Sequence, residues 1–453
     1  MRLKIEKLVY EGKGLGRDKA VLLDNKSGKA VFVRKSVPGD ELDVEITKDK
    51  KSFSEGIIKK IVKPSPKRIE PRCPHFDRCG GCDHQNILYT NQLKFKEEIF
   101  RETLARAGIE TEILPIRPGS DSEFYYRNVS RFFFTKDENG QISFAMHDYA
   151  DYNKLIPIKS CLLQSETCNQ ILSALHQLLN SNLTIEQSNN LILSLWQIRI
   201  REGKNTGEFM VEIITKTNNL PLKNEIVELL KTFSMIKSCY HATANRNNST
   251  DAKRRLLFGS PIIYEKIGKF TFQISPESFF QTNSLGVKTL YDQIKDFANV
   301  GIGDNILDLY CGTGTIGIYL STLAKKVIGV EKVQSAINDA KANARINNVK
   351  NCEFVCADAT KWLDENFDMI KNLESVKIIL DPPRDGLNRE IIQLLCKLYN
   401  FTNFQLIYVS CNPSTFARDI KIFEENGLKL KKTEPLDMFP QTHHIECLGL
   451  ISR

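Results

Sequence analysis

The stretch 306–320, ILDLYCGTGTIGIYL, decides the fold of this chain. Its first residues are apolar and typical of a buried strand, a glycine-rich turn follows, and the last residues have the apolar spacing of a helix. Gly312, Gly314 and Gly317 also match G-x-G-x-x-G, which by itself is only a weak indication of a nucleotide site. Glycines in such a turn let the backbone approach a ligand, because no Cβ atom stands in the way. The stretch therefore predicts a strand–turn–helix unit with a ligand at its turn.

Further strand-like runs follow this unit and alternate with helical segments. The runs are KVIGVE (326–331), CEFVCAD (352–358), KIILDPP (377–383) and QLIYVSCN (405–412). This alternation predicts an α/β fold with a doubly wound parallel sheet. The final runs, at 429–439 and 444–453, fit an antiparallel hairpin at the edge of that sheet.

Acidic residues stand at the ends of three of these strands. Glu331 is placed to hold two ribose hydroxyls, and Asp358 is placed to accept a hydrogen bond from an adenine amino group. Asp381 precedes two prolines, which fix φ and keep the loop rigid. Because ligands bind at the carboxyl ends of the strands in open α/β sheets, the three acids predict a nucleoside site. An NAD enzyme would also carry an acid after its second strand, so Glu331 alone does not identify the ligand.

The pattern D-x-x-C-G-x-G, from Asp308 to Gly314, resembles the first motif of class I S-adenosylmethionine (SAM) methyltransferases. In these enzymes the turn passes under the amino-acid end of the cofactor instead of cradling a pyrophosphate. The whole set of strand ends therefore favours SAM over NAD.

Cys411 is the candidate nucleophile, because it ends the fifth strand of the sheet and is followed directly by Asn412 and Pro413. A thiol at this edge can attack a substrate if its surroundings lower its pKa. Glu446, in the last hairpin, is a candidate general base, although an ordinary strand carboxylate is the alternative. Thiolate attack at C6 of a uracil ring makes C5 nucleophilic. After methylation a base must remove the C5 proton, so one thiol and one carboxylate suffice.

Charge and composition narrow the function further. The chain has 453 residues and a net charge of +8, and residues 1–69 hold 18 lysines and arginines against 10 aspartates and glutamates. The whole excess thus lies in the leading segment, which predicts either a polyanion contact or a solvated basic surface. No signal peptide or membrane span is readable, so we expect a cytoplasmic protein with no membrane partner, in which the 12 cysteines stay reduced.

Three segments are predicted. Residues 1–62 show short alternating strands with glycine and proline breaks, which indicates a small β-barrel. Residues 70–270 are predicted as a central α+β domain that contains one amphipathic helix near 164–181, and residues 271–453 as the domain of the parallel sheet. The helix predicted at 86–108 packs either within the central domain or on the sheet domain.

Cys73, Cys79 and Cys82 form a cluster in CPHFDRCGGCDHQ, residues 73–85. In a reducing compartment such a cluster favours metal or redox chemistry over disulfides. Cys161 is the candidate fourth ligand, and Cys168 competes with it. The spacing differs from paired C-x2-C zinc ribbons and from the C-x3-C-x2-C of radical-SAM enzymes. Iron–sulfur, zinc and no metal remain open on the spacing alone.

Several stretches together resemble the RNA (uracil-5-)-methyltransferases over essentially the whole chain. They are SPESFFQTN, DLYCGTGTIG, VIGVEKVQSAI, DPPRDGL, YVSCNPSTFARD and MFPQTHHIE. The resemblance implies that Cys411 is the nucleophile and Glu446 the proton-abstracting base. It implies SAM contacts from Gln281, Tyr310, Thr315, Glu331, Asp358 and Asp381. Relatives often carry Asn where this chain has Thr315.

The leading segment resembles a TRAM domain, a small OB-like barrel that grips RNA. The family branch that acts on large-subunit ribosomal RNA carries a [4Fe–4S] cluster, and its matched ligands here are Cys73, Cys79, Cys82 and Cys161. We expect this cluster to tie the 73–82 loop to residue 161 and so to shape a surface that faces RNA. Arg127 and Phe280 are candidates for RNA contact, with structural roles as the alternative.

The expected substrate is a uridine of 23S ribosomal RNA, free or within a precursor of the large subunit, and no protein partner is implied. The first alternative is the same reaction on the T-loop uridine of tRNA. Members with that target are expected to lack both the barrel and the cysteine cluster. The second alternative is a non-catalytic RNA-binding assembly factor, against which the intact Cys411 and Glu446 argue.

Overall fold

A closed five-stranded barrel begins the chain in the computed structural model, which describes residues 1–22, 28–181, 184–244 and 253–453. Its strands are β1 (Arg2–Val9), β2 (Lys13–Leu22), β3 (Gly28–Arg34), β4 (Glu41–Asp49) and β5 (Phe53–Lys63). They pair in the order β1-β2-β3-β5-β4, with β4 closing onto β1. Alternate side chains of β1, β3 and β4 fill the interior, as the two-residue period of a strand requires. The predicted barrel is confirmed.

A long helix and two very short strands follow the barrel. They are α1 (Tyr89–Arg106), β6 (Glu112–Ile113) and β7 (Arg117–Pro118). The apolar face of α1, which includes Phe95, Phe100 and Leu104, is buried in the same hydrophobic core as the parallel sheet at the end of the chain. Leu8 and Val37 of the barrel reach the same core. Because α1 buries its apolar stripe there, it packs on the sheet domain.

The central region is a seven-stranded sheet with helices packed against it. Its strands are β8 (Val129–Lys136), β9 (Ile142–His147), β10 (Leu155–Ile158), β11 (Leu195–Gly203), β12 (Glu208–Thr215), β13 (Ile236–Thr243) and β14 (Lys253–Gly259). Its helices are α2 (Glu166–Asn180), α3 (Ile185–Ser194) and α4 (Lys223–Lys231). The strand order is β10-β9-β8-β11-β12-β13-β14. The predicted amphipathic helix is α2, whereas α3 and α4 were not predicted.

The last part of the chain contains a hairpin and an α/β sheet. The strands are β15 (Ile263–Ile267), β16 (Phe270–Ile274), β17 (Asn305–Leu309), β18 (Lys326–Glu331), β19 (Cys352–Cys356), β20 (Val376–Leu380), β21 (Phe404–Ser410), β22 (Lys429–Asp437) and β23 (Glu446–Ser452). The helices are α5 (Ser284–Ala298), α6 (Thr315–Leu320), α7 (Gln334–Ile346), α8 (Ala359–Glu365), α9 (Phe367–Lys371), α10 (Arg389–Tyr399) and α11 (Pro413–Glu425).

The sheet order is β19-β18-β17-β20-β21-β23-β22-β6, and β7 also pairs with β22. The five strands from β19 to β21 are parallel, and β23 pairs antiparallel with both β21 and β22. The predicted parallel sheet and final hairpin are confirmed, but β6 and β7 cover the edge at which the hairpin was expected. The order reverses between β17 and β20, which is where open α/β sheets bind ligands.

Within the residues that the structure describes, no helix has both the length and the apolar character needed to cross a membrane.

Candidate active site

Tyr310 and Asp381 follow the two strands at the switch point, and Glu331 ends the strand beside them. The register pairs Leu309 with both Val330 and Leu380, so the next residue of each strand lies at one edge of the sheet. Tyr310 has a φ of 67°, a left-handed conformation that is uncommon for a bulky residue. Backbone outliers of this kind concentrate at functional sites. The sheet therefore brings these sequence-predicted residues to one crevice.

In the glycine turn between β17 and α6, the backbone comes close to its neighbours at one glycine and faces open space at another. Gly312 has a φ of 53° and no heavy atom within 4 Å of the position a Cβ would take, so its backbone faces open space. Gly314 has a φ of 75°, and a Cβ there would lie 2.7 Å from the ring of Phe354. Gly314 is thus required by packing, whereas Gly312 leaves room for a ligand.

Three carboxyl groups near the crevice are buried, and in the part of the chain that the structure describes none of them forms a salt bridge. Burial raises the pKa of Asp308 to about 7, although the Gly317 N–H donates to its Oδ2 at 3.0 Å. The other oxygen, Oδ1, is buried without a hydrogen-bond partner. Loss of solvent likewise raises the pKa of Asp381 to about 7 and that of Glu446 to about 8. Carboxyl groups in this state favour a cationic ligand, since a nearby positive charge restores their ionised form. The positively charged sulfonium and ammonium groups of SAM fit this requirement.

The remaining predicted SAM contacts are held in place by neighbours. The Gln281 amide lies 3.4 Å from Asp381 Oδ2, and Tyr291 Oη lies 2.6 Å from Thr315 Oγ1. Asp358 caps α8, because its Oδ1 accepts from the backbone N–H groups of Thr360 and Lys361 at 3.0 and 3.3 Å. Its second oxygen is left for another partner. The hydroxyl of Thr315 is engaged with buried Tyr291, which restricts how it can meet a ligand.

Cys411 and Glu446 lie near each other at the ends of neighbouring antiparallel strands. Ser410 of β21 pairs with Cys447 of β23 as the last pair of the ladder, and Cys411 and Glu446 are the residues directly next to that pair. Burial raises the pKa of the Cys411 thiol to about 11, and the carboxylate of Glu446 adds to this rise. Arg384 acts in the opposite direction on both groups, because its positive charge favours their ionised forms. The candidate nucleophile and the candidate base thus lie close to each other and to Arg384, in what we call the Cys411 pocket.

Two residues near this pocket were not predicted from the sequence. Arg384 lies in the quoted stretch DPPRDGL, which was the available signal, but only Asp381 of that stretch was singled out. Tyr10, from the turn after β1, lies with its ring edge-on to His443 at 5.9 Å between centroids. Burial raises the pKa of Tyr10, and the Cys447 and Cys411 thiols contribute to the rise. No local motif marks Tyr10, because only the docking of the barrel brings it to the pocket.

Four cysteines line a second cavity, between the 73–82 loop and the central sheet. They are Cys73, Cys79, Cys82 and Cys161, with Phe76, Met146 and Leu163 among the apolar residues around them. The Gly81 N–H donates to Cys79 Sγ at 3.4 Å, and the Gln85 amide donates to Cys82 Sγ at 3.2 Å. Donors aimed at sulfur stabilise thiolate ligands. Cys168, the competing fourth ligand, is buried in α2 and does not line the cavity.

The structure does not bring the thiols of this cavity into a site for a single metal ion. In the described residues, no three His, Cys, Asp or Glu side chains are close enough to bind one. In a [4Fe–4S] cluster each of four cysteines binds one iron, so the thiols surround the group at a greater spread. An apolar cavity with four thiols and N–H donors fits that requirement.

Arg127 and Phe280, the RNA-contact candidates, both lie in surroundings that favour their structural alternative. Arg127 lines the cysteine cavity, where burial raises the pKa of Cys161 and the charge of Arg127 offsets part of that rise. The Nε of Arg127 is buried without a partner. Phe280 is only 6% exposed and packs against Phe272, whereas neighbouring Phe279 is 66% exposed. Phe279 is therefore the residue of this pair that a substrate can reach.

Taken together, the parallel sheet, the glycine turn and the buried carboxyl groups indicate a SAM-dependent methyltransferase, preceded by a small basic barrel. A family model described as tRNA (Uracil-5-)-methyltransferase matches residues 88–453, and a TRAM domain model matches residues 1–59. The chain belongs to the tRNA (uracil-5-)-methyltransferase family, with a TRAM domain at its N-terminal side. Its activity is accordingly SAM-dependent methylation of uracil C5 in RNA.

Relatives support this assignment over the full chain. An "Uncharacterized RNA methyltransferase" of Caldanaerobacter subterraneus subsp. tengcongensis is 34% identical over 458 residues, which cover 100% of this chain and 98% of the relative. A protein of the same description from Fusobacterium nucleatum subsp. nucleatum is 37% identical over 467 residues, with 100% and 96% covered. The crystal structure of Pyrococcus abyssi tRNA (uracil-54, C5)-methyltransferase in complex with S-adenosyl-L-homocysteine matches with a TM-score of 0.74 and 28% identity, and 100% of both chains is covered.

Proposed function

We propose that Cys411 and Glu446 perform the methylation as nucleophile and base. The observation that carries this assignment is the proximity of the two side chains. Cys411 and Glu446 adjoin the last residue pair of β21 and β23, and after burial the Glu446 carboxylate is the largest cause of the raised pKa of the Cys411 thiol. Covalent C5 methylation requires a nucleophile and a base that lie close together and near the SAM site.

The chemistry divides between the two residues. The Cys411 thiolate adds to C6 of the uracil, and the electron pair of the C5–C6 double bond moves towards C5 and O4. C5 then takes the methyl group that bound SAM supplies. The Glu446 carboxylate removes the remaining proton from C5, the double bond forms again, and the thiolate leaves C6. Burial and the Glu446 carboxylate raise the pKa of the Cys411 thiol, and the charge of Arg384 offsets part of this rise and so favours the thiolate form in the first step.

The proposed SAM contacts are those that the family resemblance implied. Glu331 and Asp358 would hold the nucleoside, and Gln281, Tyr310, Thr315 and Asp381 would hold the reacting end. We add Asp308 to this set, because its Oδ1 is a buried acceptor with no partner. The bond between Gln281 and Asp381 supports a common role for these two side chains.

The [4Fe–4S] cluster is proposed at Cys73, Cys79, Cys82 and Cys161. The shared cavity and the N–H donors to sulfur support this ligand set. When bound, the cluster would cross-link the 73–82 loop to the segment before α2. Arg127 would then balance negative charge at the cluster, since burying thiolates without a nearby cation is costly.

The proposed substrate is a uridine of 23S ribosomal RNA, and the cysteine arrangement supports it, because it resembles the rRNA branch of the family. A uridine of tRNA is the second candidate, and the likeness to the P. abyssi tRNA (uracil-54, C5)-methyltransferase favours it. That likeness covers all of this chain, including the barrel. The presence of a barrel therefore does not distinguish an rRNA target from a tRNA target, contrary to the expectation from the sequence. A stacked base cannot reach Cys411, so either target uridine must be flipped into the pocket.

One labelling experiment tests the reaction and its target. The purified protein is incubated with methyl-tritiated SAM and with separately purified rRNA and tRNA from cells in which its gene is deleted. The proposal predicts label in 23S rRNA that digests to 5-methyluridine. Label in tRNA alone would support the second candidate, and label in neither RNA would contradict the activity.

A further inference from the structure

The loop at 438–445, which joins β22 to β23, is held by parts of the chain that lie far away in sequence. Phe439 O accepts a hydrogen bond from Lys96 Nζ at 3.1 Å, and Pro440 O accepts one from the Tyr126 hydroxyl at 2.9 Å. Both donors lie outside the segment predicted as the catalytic domain. We call residues 438–445 the base loop, because Glu446 follows it directly.

Gln441 is the most tightly held residue of the base loop. Its backbone N–H donates to Gln92 Oε1 at 3.0 Å, and its side-chain oxygen accepts from Gln92 Nε2 at 2.9 Å. Its backbone carbonyl accepts from the N–H groups of Asp83 and His84 at 2.9 and 3.1 Å. Gln441 has a φ of 69°, a conformation that costs free energy for a residue with a side chain. The contacts from Gln92 and the 83–84 backbone offset that cost.

His443 is held in the same way by a second set of contacts. Its Nδ1 lies 2.7 Å from Asp83 Oδ2, and its backbone N–H donates to the same oxygen at 3.3 Å. The turn after β1 of the barrel packs against Asp83 and His443 from the other side. A Cβ on Gly12 would lie 2.9 Å from Asp83 Cβ and 3.0 Å from His443 Cβ, so only glycine fits there. Tyr10 contacts the His443 ring edge-on.

The start of the base loop is anchored by a buried ion pair. Lys96 Nζ lies 2.7 Å from Asp437 Oδ1, and both side chains are fully buried. Removing one partner of such a pair leaves an uncompensated charge, so the pair strongly resists separation. Lys96 and Gln92 are both on α1, so one helix fixes the base loop at two points.

These contacts fix the place where β23 begins. Glu446 is the first residue of β23 and pairs with Leu436, the last residue but one of β22. Its carboxyl group is buried, and among the described residues no donor forms a hydrogen bond with it that would fix its position. The orientation of Glu446 therefore depends on the position of the base loop, because that loop sets where the backbone of β23 begins.

We propose that the segment 83–96, through Gln92 above all, is a positioning clamp for Glu446. Gln92 is a positioning residue: it does not touch the reacting atoms, but it holds the base loop so that the carboxylate meets the C5 proton. The inference rests on the proposed function, because it takes Glu446 as the base. It assigns to α1 and the cysteine loop a role in the last chemical step.

The clamp affects one half of the reaction only. Thiol addition and methyl transfer need Cys411 and a seated uridine, whereas release of the product needs Glu446 to take the C5 proton. If the base is displaced, the methylated ring stays bonded to Cys411, since the thiolate cannot leave until that proton is gone. A loosened clamp therefore causes a methylated enzyme–RNA adduct to accumulate on ordinary RNA.

Two variants loosen the clamp without touching the proposed iron ligands or the pocket. Gln92→Ala removes the side chain that holds Gln441. Gln441→Gly removes the side chain that pairs with Gln92. The backbone at this position can keep its positive φ, because glycine adopts that conformation at no steric cost. The matched control is Asn180→Ala. Asn180 also makes a two-way amide pairing, because it accepts from the backbone N–H of Ile142 at 2.8 Å and donates to its carbonyl at 2.9 Å, but it lies in the central domain. Glu446→Gln is the reference for a missing base.

The protein is mixed with SAM and with the rRNA or tRNA fraction that it labels in the experiment above, and the SDS-stable adduct and the released product are followed with time. For Gln92→Ala and Gln441→Gly we expect adduct formation within about twofold of wild type and adduct resolution roughly 10- to 100-fold slower, because misplacing a reacting group by about 1 Å can cost on the order of 100-fold in rate. Asn180→Ala should resolve its adduct at the wild-type rate.

The outcomes separate the clamp from the base assignment. If Glu446→Gln accumulates adduct but Gln92→Ala and Gln441→Gly do not, the clamp is wrong and the base assignment stands. If Glu446→Gln itself resolves its adduct normally, the base assignment fails and the clamp fails with it. Equal slowing in Asn180→Ala would show that general loss of stability, and not positioning, is responsible.

Discussion

Asp308, Asp381 and Glu446 show at the scale of single residues why this crevice suits a cationic methyl donor. Burial raises the pKa of each carboxyl group, and within the described residues no salt bridge is recorded for any of the three. A group that is half protonated near pH 7 changes its charge when a cation arrives. Ligand binding at this site should therefore be linked to proton release.

The first prediction concerns the pH dependence of SAM affinity. SAM prefers the ionised carboxylates, and the pKa values of Asp308 and Asp381 are about 7 in the free protein. Affinity should thus be high above pH 7 and fall as the pH decreases through 7, by about tenfold between pH 7.5 and pH 6 for one linked group. Isothermal titration calorimetry over this range measures the change directly.

S-adenosyl-L-homocysteine is the matched control ligand for this prediction. It keeps the ammonium group and the nucleoside but has a neutral sulfur, so its affinity should depend less steeply on pH. A flat SAM profile, or an equally steep one for both ligands, would contradict the assigned role of the sulfonium charge.

The second prediction separates two adjacent aromatic residues. Phe280→Ala should lower the free energy of unfolding by about 3 kcal/mol, because it removes a buried ring from the core. Phe279→Ala should leave stability within about 0.5 kcal/mol and weaken RNA binding, because an exposed ring stacks on a base with about 1–3 kcal/mol. Urea denaturation and filter binding measure the two effects. Normal RNA affinity in Phe279→Ala would show that this ring does not meet the substrate.

The sequence predicts where residues at strand ends lie in the fold, but it does not predict contacts between parts of the chain that are far apart in sequence. Glu331, Asp358 and Asp381 lie at or just after the ends of β18, β19 and β20, as the sequence predicts, because their place in a strand determines their place in the fold. Their contacts with SAM stay a prediction. Tyr10 could not be found, since nothing local shows that the barrel turn docks beside Cys411. The two phenylalanines at 279 and 280 were not separable, because a sequence does not show which of two adjacent rings turns inward.

At the scale of elements, the cysteine loop combines two tasks. Its thiols face the cavity shared with Cys161, while the residues directly after Cys82 bond to the base loop. The loop therefore joins the central sheet to the hairpin that carries Glu446. A cluster in the cavity would stiffen this connection, since it would fix the four cysteines to one rigid group.

The third prediction tests the ligand set of the cluster. Cys79→Ser and Cys161→Ser should lose iron and the broad visible absorbance after anaerobic purification, because each removes one thiolate ligand. Both variants should also lose folding stability or RNA affinity, as the loop would no longer be tied to residue 161. Iron analysis and absorbance spectra provide the measurement.

Cys168→Ser is the control, because its thiol is buried in α2 outside the cavity. It should keep the full iron content. Loss of iron in Cys168→Ser together with normal iron in Cys161→Ser would reverse the choice of the fourth ligand. Unchanged stability and RNA affinity in Cys79→Ser would contradict the structural role of the loop.

Elements with a strong period were predicted, and short or weakly patterned ones were not. The strand–turn–helix at 306–320 and helix α2 follow directly from their apolar spacing. Strands β6 and β7 are only two residues long each, so no periodicity can indicate them. They form because β22 presents a free edge that the chain covers, and this is a tertiary effect.

At the scale of the whole molecule, the cores cut across the predicted domain division of 1–62, 70–270 and 271–453. Helix α1 shares a core with the parallel sheet, and the hairpin β15–β16 packs into the core on the other face of that sheet. We propose that the catalytic unit takes in residues 88–118 and 263–453, with the seven-stranded sheet as an insertion between them.

The barrel is also joined to the catalytic unit instead of being tethered by a linker alone. Leu8 and Val37 enter the core around α1, and Lys7 Nζ lies 2.6 Å from Glu102 Oε2 on that helix. The turn with Tyr10 and Gly12 reaches the base loop. A basic barrel in this position can hold the RNA backbone while the target uridine enters the pocket.

Formation of a covalent bond between Cys411 and the substrate is the central claim, and trapping with RNA that carries 5-fluorouridine at the target position tests it most directly. Fluorine at C5 cannot be removed as a proton, so the methylated ring should stay attached and give an adduct that survives SDS. Wild type and the control Cys396→Ala, whose thiol is buried in α10 away from the pocket, should both form it. Cys411→Ala should form none and should transfer no methyl group to natural RNA. Methyl transfer by Cys411→Ala at a rate near that of wild type would contradict the account.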